Sequence, residues 1–167
     1  MSTPRIRFSH FLEKFPVLDL PLSIGESTVR EVSATTMPLP GRMIDQFLVP
    51  LEPAVVNEEF TEFIAISRLP AADDYVGLIY WRADLAQYHY TLITLHPKTE
   101  ELIDRKVIAG TSYDGEEILR TSAVITEALM IYQVSGQQQA GDDINYQASS
   151  STARRFQIAA SGKIIEL

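Results

Sequence analysis

The sequence predicts a mainly β fold: an antiparallel meander forming a sandwich or a strongly curved sheet, with one or two short N-terminal helices packed on it. Three observations lead there. From Glu59 onward, short runs rich in Val, Ile, Thr and Tyr alternate with turn residues such as Asp73-Asp74, Pro97 to Glu100 and Tyr113-Asp114-Gly115. The run Tyr75 to Arg82 is apolar on both faces, with Tyr75, Ile79 and Trp81 on one and Val76, Leu78 and Tyr80 on the other. Such a strand has to be covered on both sides, which places it inside a sheet with a further layer against it. A short helical period stands near the N-terminus, where Phe8, Phe11, Leu12 and Phe15 fall on one helical face.

The chain of 167 residues is read as one domain, residues 1–167. Within it, 1–58 is a mixed helical and extended part, 59–167 the β meander, and 137–152 a flexible loop. Hydrophobic residues make up 46% and charged residues 22%, enough apolar material for a core without staples. There is no Cys, so disulfides and thiolate metal sites are excluded. The formal charge of −8 repels a polyanion, so nucleic acid is not an expected partner. Arg154 and Arg155 do not alter this, because neighbours on a strand point to opposite faces. No run approaches the roughly 18 apolar residues of a membrane span. Arg5, Arg7, His10, Glu13 and Lys14 interrupt the segment where a secretory leader would be apolar. A cytoplasmic location is the default expectation; a periplasmic or surface one stays open if a leader was removed.

In chain order, Ser9 is expected to cap the first helix and Pro16 to stop it. Val17 to Ile24 alternates around Pro21, as an edge strand or an extended crossing segment does. Met43, Ile44, Phe47 and Leu48 allow a second short helix among Pro38, Pro40, Pro50 and Pro53. Strands are expected at Phe60 to Arg68, Tyr75 to Arg82, Tyr88 to His96 and Leu102 to Ala109, the last ending at Gly110. Ile118 to Ser135 fits two periods. Leu119, Thr121, Ala123 and Ile125 alternate, while Ile118, Ser122, Ile125 and Leu129 suit a helix. Its content of Thr, Val, Ile and Tyr decides for two strands. Gln137 to Thr152 is polar and low in complexity, hence the flexible loop. Phe156 to Ala159 and Ile164 to Leu167 form a closing hairpin about Ser161-Gly162-Lys163.

The stretch Tyr90 to Gly110 and the ending Ser161-Gly162-Lys163-Ile164-Ile165 resemble the hairpins of a loose group of small bacterial β-meander proteins of uncharacterised function. Many members of that group carry a lipoprotein leader, which this sequence lacks. The resemblance implies a β meander. It carries over no site residues, since the group has no established activity.

Catalytic chemistry finds no handle. There is no Gly-x-Ser-x-Gly elbow and no phosphate-cradling Gly-rich loop, so no catalytic residue is assigned. His89 and His96 are an odd number of positions apart and face opposite ways on one strand, so no metal and no cofactor are expected. Acidic doublets at Glu58-Glu59, Asp73-Asp74, Glu100-Glu101, Glu116-Glu117 and Asp142-Asp143 lie beside turns and read as solvated. Asp142, Asp143 and Asn145 offer oxygens but not the spacing of an EF-hand loop.

The most suggestive cluster is Trp81, Arg82, Asp84, Tyr88, Tyr90, Thr94 and His96. Parity puts Tyr88, Tyr90, Thr94 and His96 on one strand face. Amphipathic aromatics beside polar groups are material for an interface. The candidate ligand or partner face is therefore Trp81, Arg82, Tyr88, Tyr90, Thr94 and His96. The plainer alternative is a core whose polar tips find internal partners.

Three functions follow as expectations. The first is a non-enzymatic binding or protein-interaction module, taking an unidentified protein or small molecule. The second is a small hydrolase-like enzyme using His96 with a nearby carboxylate. The third is a structural subunit of a homo-oligomer, in which a neighbouring chain covers the two-faced strand.

Overall fold

The structure is a computed structural model and describes residues 4–113, 115–139 and 151–167. Among these, nine antiparallel strands form one sheet. The strands are β1 (Leu22–Ile24), β2 (Glu62–Arg68), β3 (Val76–Ala83), β4 (Tyr88–Leu95), β5 (Leu102–Tyr113), β6 (Glu117–Ile125), β7 (Met130–Gln139), β8 (Ser151–Ile158) and β9 (Ile164–Glu166). From β2 to β9 each strand pairs with the next, and β1 joins at the side by pairing with β6. The mainly β meander read from the sequence is the observed architecture. No helix among the described residues is long and apolar enough to cross a membrane.

Strand β3 lies between β2 and β4, and its two apolar faces meet two separate cores. On the inner face, Ile79 packs with Ile66, Tyr90 and Leu92 against Ala123, Ile125, Ile131 and Phe156 of the second half of the sheet. On the outer face, Leu78 and Tyr80 pack with Phe63, Ile93 and Leu95 beneath the N-terminal segments. Those segments are the helix α1 (Phe8–Glu13) and the irregular stretch from Leu39 to Leu51. The latter contains a helical turn α3 (Gly41–Met43), a π turn at Ile44–Leu48 and a 3-10 turn at Val49–Leu51. Helix α2 (Thr28–Ser33) sits over the inner core through Val32. Each face of β3 is thus covered by this chain itself, and the two-faced strand needs no neighbouring copy.

The sheet folds over on itself at β5. This strand pairs with β4 along most of its length but with β6 only from Gly110 to Tyr113. Beyond that point β6 parts from β5 and pairs with β1 instead. The edge of β5 that this leaves open is sealed from the far side. The Gln133 carboxamide donates to the Ile108 carbonyl at 2.9 Å. The Ile164 N–H donates to the Asp104 side-chain carboxylate at 2.8 Å. Gly110 makes the close crossing sterically allowed. Its φ is +141°, and a Cβ there would lie 2.3 Å from the Tyr88 carbonyl oxygen.

Four details differ from the sequence-based expectations. Ser9 caps nothing; Arg7 occupies the N-cap without a side-chain hydrogen bond. Burial of Phe11, stacked on Phe47 at 4.3 Å, holds this two-turn helix instead. The strand predicted from Phe60 begins at Glu62, because Asn57 to Phe60 close a turn first. Gly110 bends β5 and does not end it. The two ends of the flexible loop predicted at 137–152 are strand. Gln137 to Gln139 extend β7 and Ser151 and Thr152 open β8, since backbone pairing with the neighbouring strands proceeds without apolar side chains. Residues 140–150, and with them Asp142, Asp143 and Asn145, lie outside the described residues.

Ile79 is fully buried at the centre of the inner core. Substitution Ile79→Ala should therefore cost about 2–5 kcal/mol, as core truncations do. An unchanged denaturant midpoint in that variant would mean that the β3 inner face is not core.

Candidate functional site

Two polar assemblies stand out from the apolar layers. The first is a buried charge network on the outer side of β3. Arg82 is 4% exposed and so cannot be solvated by water; its guanidinium must find partners inside the protein. It donates to the Glu52 carboxylate at 3.2 Å, to Asp84 at 3.1 and 3.2 Å, and to the carbonyls of Ala54 and Val55 at 3.1 and 2.8 Å. Glu52 also accepts from the Tyr80 hydroxyl at 2.6 Å and from Arg105 at 3.0 Å. Thr61 donates to Asp84 at 2.8 Å. Burial alone would raise the Asp84 carboxyl; the bonds from Arg82 and Thr61 outweigh it and hold the group below its usual range.

The second assembly is an open groove of about 400 Å³ where β5 separates from β6. Lys106 of β5, Thr121 of β6, Gln133 and Ser135 of β7, and Thr152 and Arg154 of β8 line it. Alternation aligns these polar positions with the core. Ala123 and Ile125, Ile131, and Phe156 and Ile158 continue the same strand faces inward. The inner surface of the folded sheet is therefore apolar at one end and polar at the other. The Thr121 and Ser135 hydroxyls are hydrogen-bonded at 2.8 Å. The Lys106 ammonium lies 4.4 Å from the centre of the Phe156 ring, a cation–π distance. His89 borders the groove and feels the charges of Glu52, Asp84, Arg82 and Arg105, so it connects the two assemblies. Burial drives its pKa below the ordinary histidine value, with a smaller push from Arg82 and Arg105.

The six residues of the sequence-derived face separate into different surroundings. Trp81, Tyr88 and Tyr90 do meet, with ring centres 6.1 and 6.0 Å apart along the series. Tyr90 is completely buried, accepting from the Val29 N–H at 2.9 Å and donating to the Gly25 carbonyl at 2.8 Å. Thr94 is also buried and donates to the Gly162 carbonyl at 2.6 Å. Arg82 belongs to the charge network on the opposite side of β3. His96 is exposed at the turn after β4, where its Nδ1 accepts the backbone N–H groups of Lys98 and Thr99 at 3.2 Å each. With Asp73, Asp74 and Lys98 it borders a shallow hollow between turns, away from the groove.

The sequence-based search missed Glu52, Arg105, Lys106 and the Gln133 to Ser135 wall. Only one local signal pointed to the wall. After Ile131 the apolar alternation of β7 turns polar at Gln133, Ser135 and Gln137, on what remains the inner face. Among the described residues, no group of three or more His, Asp and Glu side chains is arranged to hold a metal ion.

Two measurements check the electrostatics. Substitution Glu52→Ala removes the carboxylate shared by Tyr80, Arg82 and Arg105, leaves buried Arg82 with the Asp84 carboxylate alone, and should cost about 3–5 kcal/mol in chemical denaturation. The second is the pH profile of stability. Burial raises the Tyr90 phenol to about 12, and burial followed by the Glu52 carboxylate raises Tyr80. Both phenols stay protonated in the folded chain while unfolded tyrosines ionise near 10. The stability they contribute is complete below pH ~10 and is lost as pH climbs through the folded values. On the acid side the lowered His89 contributes stability that is complete above pH ~6.5 and declines as the pH falls below it. Melting temperatures that stay flat from pH 9 to 12 would contradict the burial of both phenols.

No family model, no curated protein and no solved structure matches the chain, so the groove and the charge network behind it are what bear on function.

Proposed function

We propose that this protein is a non-enzymatic binding module that holds a small polar ligand in the groove between β5 and β6 to β8. The observation that carries this is the change of the inner sheet surface from apolar core to a polar wall around an open space of about 400 Å³. That volume lies within the range of small-molecule sites, about 300–1,000 Å³. The wall is built on strands and held by internal hydrogen bonds, as a preformed binding surface requires. Side chains suited to binding line it, and among the described residues no nucleophile hydrogen-bonded to a base lines it. The hydrolase alternative through His96 draws less support. With Nδ1 engaged by two backbone N–H groups, the neutral ring carries its proton on Nε2. It then offers the hollow a donor and not a base.

Ser135 stands in mid-groove on a regular part of β7. A Ser135→Trp substitution should fill the space while leaving the strand pairing intact. A library of small polar metabolites, screened by thermal unfolding, should contain compounds that stabilise the native chain. At 100 times Kd the gain is about 2.7 kcal/mol. Those compounds should lose their effect on the tryptophan variant. Stabilisation that is equal in both proteins would place binding elsewhere and defeat the proposal.

A further inference from the structure

The groove's chemistry narrows the ligand class, an inference that rests on the binding reading above. We propose that the groove selects a small organic anion bearing two or more carboxylates, recognised by Lys106 and Arg154.

The charge pattern is the first support. The chain carries 22 Asp and Glu against 14 Lys and Arg, yet no acidic residue lines the groove among the described residues. A surface that is acidic overall has a local reversal of sign at this recess on the inner sheet face. The overall charge disfavours long polyanions, and the recess favours a small anion.

The arrangement of the two cations is the second support. The Lys106 ammonium and the Arg154 guanidinium come from β5 and β8, far apart in sequence. Both nonetheless approach the ring of Phe156, at 4.4 and 5.8 Å from its centre. Two like charges held near one ring repel each other, and Glu166, the carboxylate paired with Arg154, makes no ion pair with Lys106. The ring faces the Lys106 ammonium without accepting its N–H groups as a carboxylate would. Among the described residues Lys106 has no ion-pair partner.

Arg154 supplies the third support, because it already displays the preference of its site. Its fork holds the Glu166 carboxylate in two parallel bonds, Nε to Oε1 at 2.9 Å and Nη2 to Oε2 at 3.0 Å. Both side chains are about half exposed, at 49% and 47%. An exposed pair of this kind contributes little, so a ligand carboxylate can take the place of Glu166 at low cost. Glu166 thus acts as an internal stand-in for the ligand and as its competitor. The hydroxyls of Thr121 and Ser135 are placed to meet the ligand's remaining oxygens.

The test is calorimetric titration of the full chain with succinate, citrate, inorganic phosphate and succinamide, the neutral counterpart of succinate. Succinate or citrate should bind, with affinity falling as sodium chloride is raised, and succinamide should be at least roughly tenfold weaker. Lys106→Met keeps a long unbranched side chain without the charge and should weaken the dicarboxylate by about tenfold or more. Glu166→Gln should tighten it by freeing the Arg154 fork. Equal binding of succinate and succinamide, or an unaffected Lys106→Met variant, would overturn the anion assignment. The groove reading would survive that result if library compounds still fail on Ser135→Trp. Binding of phosphate alone, with the same Lys106 dependence, would overturn the carboxylate assignment in favour of a phosphorylated ligand. If none of the four probes binds at millimolar concentration, the proposed class is wrong.

Discussion

The buried carboxylate of Glu52 is the contact on which the outer half of the molecule depends. It receives Tyr80 and Arg82 from β3 and Arg105 from β5. It thereby ties the irregular crossing that carries it to two strands of the sheet. Apolar contacts bring Leu39, Met43, Phe47 and Leu48 onto the sheet, but such contacts are nearly indifferent to direction. A buried ion cluster is not indifferent. Each group in it loses hydration on burial and recovers the loss only in the one arrangement that completes its bonds. The cluster therefore specifies where this stretch without regular secondary structure must lie. It also covers the polar end of a strand that is apolar nearly everywhere else.

A second constraint follows from the two-sided strand β3. Since both of its faces are apolar, the chain has to supply two covering layers. It does so with helices on the outside and with its own later strands on the inside. Bringing those later strands back over β3 requires a sharply folded sheet, which breaks the pairing of β5 with β6 after four residues of β5. The break exposes carbonyls that Gln133 must satisfy, and it opens the space that becomes the groove. The groove is thus a consequence of how the sheet closes over its core. Its polar lining is a property of the side chains placed there.

Electrostatics separates the two assemblies by role. In the outer network carboxylates and guanidinium groups neutralise one another, which suits a structural tie. In the groove Lys106 and Arg154 meet no lining carboxylate among the described residues, and Arg154 is paired with Glu166 of the short closing strand β9. His89 stands between the assemblies, its pKa pushed below the ordinary histidine value by burial. Convex apolar residues such as Tyr132 and Val134, near 42% exposed, are scattered among polar neighbours and need no special explanation.

Local pattern in the sequence determined the β class, the interior position of Tyr75 to Arg82, the short aromatic helix and the two strands between Ile118 and Ser135. These were legible because alternation, β-branched content and turn residues act over a few positions. Parity also marked Tyr88 and Tyr90 as sharing a face. Whether that face meets solvent or core was not legible. The answer depends on α2, whose Val29 N–H and neighbouring Gly25 carbonyl enclose the Tyr90 hydroxyl. The site itself was decided by tertiary structure alone. Glu52 stands in a Pro-rich stretch that resembles a loop, and nothing local announces that two arginines and a tyrosine will surround it. Lys106, Gln133 and Arg154 each occupy unremarkable strand positions. They converge because β5 parts from β6 and the sheet closes over Phe156, an arrangement set by the packing of distant strands, which no short window of sequence encodes.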